Sequence, residues 1–231
     1  MKEKSSWDYI TEKLTNFTFE KGITSFVNPY SMLVLKDYFS VAKNIDNWHA
    51  DGSLMVLLFN RFFNLNKINR YSFDDTSLAP VVFKKAKDAK MSIGIIATEQ
   101  EIIEKSIPII ENKYQIKVDF WRNGFFKSEA EINETIEYII KNNIEVVICG
   151  MGTPHQESFL IKLKNKGWNG YGYTCGGYIH QTAIKETYYP LFFDKYNLRW
   201  LYRMIKEPRV IPRYLFKYPQ FIYLFYRYAR K

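Results

Sequence analysis

The sequence predicts an α/β fold, a parallel-sheet body with a helical C-terminal appendage, on three observations. Between about residues 90 and 175, short β-branched runs alternate with stretches of helical periodicity, the signature of strand–helix units on a parallel sheet. Three apolar runs end in glycine-containing turns, at Asp51-Gly52, Gly150-Met-Gly152 and Gly176-Gly177. After Pro190 the composition becomes basic and aromatic, and Pro208, Pro212 and Pro219 break it into short pieces.

Taken in order, Gly22 to Val27 reads as a strand stopped by Asn28-Pro29, followed by a helix from about Pro29 to Ala42. Ile45 to Ala50 is a short strand, and Ser53 to Phe63 an apolar helix. Ser92 to Ala97 is a buried strand. Thr98 with Glu101 resembles a capping box opening a helix that turns Ile103, Ile107 and Ile110 inward and is kinked by Pro108. Ile116 to Trp121 is the next strand, and Ser128 caps a helix whose Ile132, Ile136, Ile139 and Ile140 form one stripe. Ile144 to Cys149 is the clearest strand, followed by a helix from about Pro154 to Lys166 and a strand from Trp168 to Thr174. Leu198 to Ile205 is a short amphipathic helix. The expected organisation is a Rossmann-like catalytic body over 1–194 and an appendage over 195–231.

Composition excludes several classes. With 231 residues, 47% hydrophobic and 25% charged, the chain is globular rather than disordered. Cys149 and Cys175 form no ligand-spaced pair, which disfavours a disulfide scaffold or a zinc knuckle. The N-terminus has no apolar core of a secretory signal, and the longest apolar run, Leu54 to Phe59, is far too short to span a bilayer, so the cytoplasm is the expected address. The net charge is +9, and nine basic residues against one acid lie between Arg199 and Lys231. The body is therefore nearly neutral and the tail cationic.

In open α/β sheets, ligands bind outside the carboxyl ends of strands. Gly150-Met-Gly-Thr-Pro-His-Gln-Glu157 offers close backbone approach and a helix start, which suits a phosphate. It satisfies neither the dinucleotide nor the P-loop pattern, and an ordinary tight turn with Pro154 at the first helical position fits as well. Asp51 at a strand end suits a general base for a hydroxyl, or is part of a plain Asp-Gly turn. Gly176-Gly177 is open in the same way. His49, His155 and His180 lack metal-ligand spacing, no Asp-x-Asp clamp is present, and Asp74-Asp75 reads as the lead-in to a helix, so no metal is implied. In the tail, Arg199, Arg203, Arg209 and Arg213 stand among aromatics, a combination that suits anionic headgroups, nucleic-acid phosphates or an oligomer interface.

Together these stretches resemble the WecG/TagA/CpsF glycosyltransferase family, glycosyltransferase family 26. Gly150-Met-Gly-Thr-Pro-His-Gln-Glu157 matches every fixed position of its Gly-x-Gly-x-Pro-x-Gln-Glu hallmark. Its closing signature appears as Leu198-Arg-Trp-Leu-Tyr-Arg203, Glu207-Pro-Arg209 and Arg213-Tyr214, and Asn28-Pro29, Asp51-Gly52 and an Arg70 and Asp75 pair match its N-terminal half. The chain departs from the family pattern at Phe26, Leu54, Ile179-His180, Tyr188-Tyr189-Pro190 and Arg199. Most of these departures are expected to face a sugar.

The resemblance implies an inverting enzyme that moves a hexose or N-acetylhexosamine from a UDP-sugar to an undecaprenyl-diphosphate-linked sugar, in cell-surface polysaccharide or teichoic acid synthesis. It would act without a cofactor or metal, peripherally bound to the inner face of the cell membrane. Asp51 is the expected base. The expected substrate-binding residues are Asn28, Gly52, Arg70, Asp75, Gly150, Gly152, Pro154, Gln156, Glu157, Gly176, Gly177, His180, Arg203, Arg209 and Arg213. Phe216, Tyr218, Phe221, Tyr223, Phe225 and Tyr226 are expected among headgroups, and a body cut after about Asp194 is expected to stay folded. A homo-oligomer is compatible with the tail. A non-catalytic scaffold subunit of a polysaccharide assembly complex is the alternative, and a nucleic-acid-binding protein is disfavoured by the neutral body.

Overall fold

In a computed structural model, residues 4–63, 67–184, 192–193 and 199–230 are described. Six strands form one all-parallel sheet in the order β2-β1-β6-β5-β3-β4. They are β1 (Gly22–Val27), β2 (Asn47–Ala50), β3 (Ile93–Ala97), β4 (Phe120–Arg122), β5 (Val146–Gly150) and β6 (Tyr171–Thr174). The Rossmann-like α/β reading holds. Because side chains alternate along a strand, each strand feeds two cores. Ile96, Val147 and Cys149 join Ile23 and Val27 on one face, whereas Ile95, Ile148 and Tyr173 lie on the other.

Helices cover both faces, as burying a parallel sheet requires. On the first face pack α1 (Ser6–Glu12), α2 (Pro29–Leu35), α3 (Phe39–Asn44), α4 (Ser53–Phe62), α7 (Glu129–Lys141) and α8 (His155–Asn165). On the second pack α5 (Leu78–Asp88), α6 (Gln100–Tyr114) and α9 (Tyr178–Ile184). The helix expected over Pro29 to Ala42 is two helices with a break around Asp37. The capping box expected at Thr98 does not form: Thr98 has φ 46°, and Glu99 is the N-cap without a side-chain bond. Ser128 does cap α7, accepting from the Glu131 N–H.

The C-terminal helix, Tyr218–Ala229, departs most from expectation. Phe221 and Phe225 are fully buried in the first core, not presented to headgroups. The Phe225 ring lies 5.2 Å from Phe59 and 6.4 Å from Trp7, and Phe221 lies 5.8 Å from Trp7. Tyr228 Oη meets Thr11 Oγ1 at 3.0 Å, so the last helix is joined to the first. Phe216, Tyr223 and Tyr226 are exposed. The expected boundary at 194/195 lies outside the described residues, as do Tyr188, Tyr189, Pro190 and Leu198. No described helix is long and apolar enough to cross a membrane.

Removing the last helix uncovers Trp7 and Phe59, so truncation after about Asp194 should weaken the body rather than free it. Phe225→Ala should cost about 3–5 kcal/mol in denaturant unfolding. An unchanged midpoint would mean that the helix adds nothing to the core.

Candidate active site

A cleft of about 790 Å³ opens along the carboxyl edge of the sheet. The edge includes the β3–β5 neighbourhood, where the strand order reverses and α/β domains bind ligands. At one end stands Asp51, directly after β2, with its N–H donated to the Val27 carbonyl of β1 at 2.8 Å. The segment from Ile68 to Ser72 runs back beside it, held by Asn60 to Ile68 and by the Tyr71 N–H to the Ala50 carbonyl. That path brings Arg70 to 3.9 Å from the Asp51 carboxylate. Arg70 also donates to Ser72 Oγ, which donates to Asp74, and Asp74 pairs with Arg199 at 2.7 Å. Arg199 reaches Thr76 as well. Withdrawal from water raises the Asp51 carboxyl above the usual aspartate range, opposed chiefly by Arg70. About a third of its side chain remains exposed, enough to meet a ligand.

At the other end lie the glycine turns. A Cβ on Gly150 would stand 2.8 Å from Cys175 Sγ and 2.9 Å from Gly176 O, so only glycine lets the two turns meet this closely. Gly152 has φ 76°, the left-handed region that glycine occupies without strain. Gln156 is nearly buried and accepts from the Gly176 N–H at 3.3 Å. Arg203 comes within 3.6 Å of the space beside Gly177 and pairs with Glu207. Arg213 covers the Tyr30 ring at 4.4 Å. His180 Nδ1 lies 3.5 Å from Thr98 Oγ1.

The cleft thus gathers Asn28, Asp51, Gly52, Arg70, Gly150, Gly152, Gln156, Gly176, Gly177, His180, Arg203 and Arg213. Asn28 commits its carboxamide oxygen to capping α2, accepting from Tyr30 and Ser31. Three of the expected residues fall elsewhere, and the side chain of a fourth, Arg209, is outside the described ones. Asp75 sits behind the wall, accepting from Tyr114 and Tyr178 and pairing with Lys113 at 3.1 Å, not with Arg70. Pro154 is the N-cap of α8 rather than its first residue and is absent from the lining. Glu157 is fully buried beneath the floor, where Oε1 accepts from Ser25, Thr153 and Gln156. Arg209 belongs to the short turn Pro208–Val210, and its side chain lies outside the described ones. Ser72, Asp74, Thr98, Phe125, Tyr218 and Gln181 also line the cleft, none of them expected to bind substrate. Thr98 carried one legible signal, its place directly after a strand.

A parallel α/β body with a recessed carboxylate at one end of its cleft, and close-packed glycine turns with arginines at the other, has the layout of an enzyme that transfers a group from a phosphorylated donor. The comparisons make the class specific. The chain matches the glycosyl transferase WecG/TagA/CpsF family over residues 2–231 and belongs to that family. It is 37% identical over 205 residues, 88% of this chain and 85% of the relative, to a UDP-Gal:alpha-D-GlcNAc-diphosphoundecaprenol beta-1,4-galactosyltransferase from Shigella boydii. It is 24% identical over 218 residues, 87% of this chain and 81% of the relative, to an N-acetylglucosaminyldiphosphoundecaprenol N-acetyl-beta-D-mannosaminyltransferase from Bacillus subtilis.

Burial raises the Glu157 carboxyl, with its hydrogen-bond donors opposing. A carboxyl whose folded pKa exceeds its unfolded value favours folding below the unfolded pKa, and that contribution fades as pH rises through the folded one. Wild-type stability should therefore fall as pH rises from the ordinary glutamate range, and Glu157→Gln should flatten the slope. Glu157→Leu, which strands three donors, should cost about 1–3 kcal/mol or more. Chemical denaturation across pH measures both, and a slope identical in wild type and Glu157→Gln would mean that Glu157 does not titrate with folding.

Proposed function

We propose that this glycosyltransferase moves a hexose, galactose foremost, from its UDP derivative to a sugar held on undecaprenyl diphosphate, with inversion. The single observation that carries the reading is the placement of Asp51 and the glycine turns at opposite ends of one cleft. Between the end of β2 and the end of β5 lie three strand spacings, about 14 Å in all. That span suits a nucleoside diphosphate sugar lying along the sheet edge with its diphosphate over the turns and its sugar toward Asp51. The relatives' names supply the chemical class of donor and acceptor.

In this reading Asp51 takes the proton of the acceptor hydroxyl as that oxygen attacks the anomeric carbon. The bond from that carbon to the UDP oxygen breaks on the opposite face, and the electron pair leaves with UDP. The N–H groups around Gly152 to Gln156, with Arg203 and Arg213, meet the growing charge. A raised carboxyl is the better proton acceptor for this step. No metal is assigned a role, so chelation should leave turnover unchanged.

The exposed Leu215, Phe216 and Tyr223, with Lys217, Arg227 and Arg230 nearby in the chain, suit peripheral docking on an anionic leaflet that carries the acceptor. Basic residues near such a surface contribute about 1 kcal/mol each. Phe216→Glu with Leu215→Glu should weaken sedimentation with anionic vesicles and spare transfer to a short-chain, detergent-soluble acceptor. Equal vesicle binding would remove this face from the role.

Release of UDP from a panel of UDP-hexoses, in the presence of a short-chain prenyl-diphosphate-linked N-acetylglucosamine, tests the whole reading and separates an enzyme from a silent scaffold. Asp51→Asn should lower kcat about 10²- to 10⁴-fold while UDP still binds. The wild-type acid limb should lie above the ordinary aspartate range and should be absent in the residual activity of the variant. Near wild-type turnover by Asp51→Asn would exclude it as the base.

A further inference from the structure

The sheet register places an aromatic ring between the two ends of the cleft. Phe26 on β1 is paired with His49 on β2, and Val27 with Ala50. Side chains alternate, so Phe26 and Asn28 on one strand and His49 and Asp51 on the next share one face, with Phe26 about two residues below the carboxylate, roughly 6–7 Å along the strand. On the other side of β1 the register runs Thr24 to Tyr173, which sets Cys175, at the start of the second glycine turn, beside Phe26. Phe26 thus lies between Asp51 and the Cys175-Gly176-Gly177 turn. Its ring lines the cleft and is only partly buried.

The ring is also fixed in place. His49 packs against it at 5.7 Å, and Phe17 and Tyr71 pack against His49 in turn. His49 is buried, its pKa is lowered by loss of solvent, and its Nδ1 meets the Thr15 carbonyl at 2.7 Å, so it supports the ring as a neutral imidazole whose Nδ1 carries the proton. Polar groups stand along the rim (Asp51, Arg70 and Asn28), while the floor between them is an aromatic face. A pyranose ring has the same division. Its hydroxyls point outward around the edge, and its C–H bonds lie on the ring faces, where they meet an aromatic π-face favourably.

We propose that Phe26 is the platform on which the donor hexose lies, and so a specificity-determining residue of the transfer. This rests on the nucleotide-sugar reading above. If the diphosphate occupies the glycine turns and the anomeric carbon lies within reach of a hydroxyl held by Asp51, the donor sugar spans the distance between them, and Phe26 is the floor of that span. The nucleoside lies beyond the turns and makes no contact with the ring.

Isothermal titration of UDP and of UDP-galactose into wild type, Phe26→Leu and Phe26→Tyr tests this without any turnover. Phe26→Leu keeps the apolar bulk but loses the π-face. It should weaken UDP-galactose roughly fivefold relative to wild type and leave UDP within about twofold, whereas Phe26→Tyr should retain both affinities. Thermal melting monitors folding, and Phe26→Tyr keeps the comparison valid if Phe26→Leu unfolds, because a tyrosine variant that loses UDP-galactose while melting normally also overturns the platform. Parallel loss of UDP and UDP-galactose in a folded Phe26→Leu would assign the ring to the nucleoside or to the cleft's shape. Unchanged affinity for both would remove it from the sugar site. Failure of the wild type to transfer any hexose, with the Phe26→Leu effect on UDP-galactose intact, would overturn the transferase reading and leave the sugar contact standing.

Discussion

The cleft depends on one buried carboxyl. Glu157 has no exposed surface, yet its Oε1 is the acceptor for Ser25 of β1, Thr153 of the turn after β5 and Gln156 of α8, and Ser25 in turn meets Thr174 of β6 at 2.9 Å. Backbone hydrogen bonds hold neighbouring strands together but do not by themselves set how the loops leaving their carboxyl ends face one another. The Glu157 cluster does set it, because β1, the turn after β5 and the start of α8 share a single acceptor. Gln156 is oriented by this contact and in turn accepts from the Gly176 N–H, so the two glycine turns are aligned from below. A buried polar network of this kind is costly to leave half satisfied, which makes it a strict constraint on geometry.

The same polar cluster lies on the sheet face opposite Phe26 and Asp51. The division follows from the period of two: Ser25 points down toward Glu157, while Phe26 lines the cleft and packs on the buried cluster that includes Tyr173 and Phe73. The end of β1 therefore has two jobs. At β1, Ser25 ties the elements together, and its neighbour Phe26 faces the cleft. Shifting the register of β1 by one residue would exchange them and destroy both.

Most of this plan was legible in the sequence where periodicity carries the information. The β3 and β5 runs are apolar throughout because both faces are buried, and their ends, marked by Gly150 and Gly152, converge as parallel topology requires. What escaped depends on contacts distant in the chain. An aromatic helix with exposed tyrosines does not reveal that Phe221 and Phe225 meet Trp7 and Phe59, more than 150 residues earlier. Membership in a motif likewise says nothing of depth: Gln156 and Glu157 are adjacent, yet one reaches the cleft and the other supports it from beneath. Asp75 was linked to Arg70 by resemblance, but Tyr114, Tyr178 and Lys113 occupy its carboxylate.

The distribution of charge follows from the same contacts. Among the described arginines of the last 33 residues, two groups separate once the chain is folded. Arg199, Arg203 and Arg213 line the cleft, the first two paired with Asp74 and Glu207 and the third over Tyr30. Arg227 and Arg230 instead lie over Tyr223 and Tyr226 on the outward side of a helix whose inward side is core. Arg213 itself opens the short π-helical segment Arg213–Lys217, which runs directly into the C-terminal helix. A surface that seats the C-terminal helix therefore also sets the position of Arg213 and of Tyr214 and Tyr218 in the cleft wall. Because Phe221 and Phe225 of that helix pack on Trp7 and Phe59, the helix that carries the outer aromatic and basic face is fixed to the body by the core, and the residues that open it stand in the cleft wall.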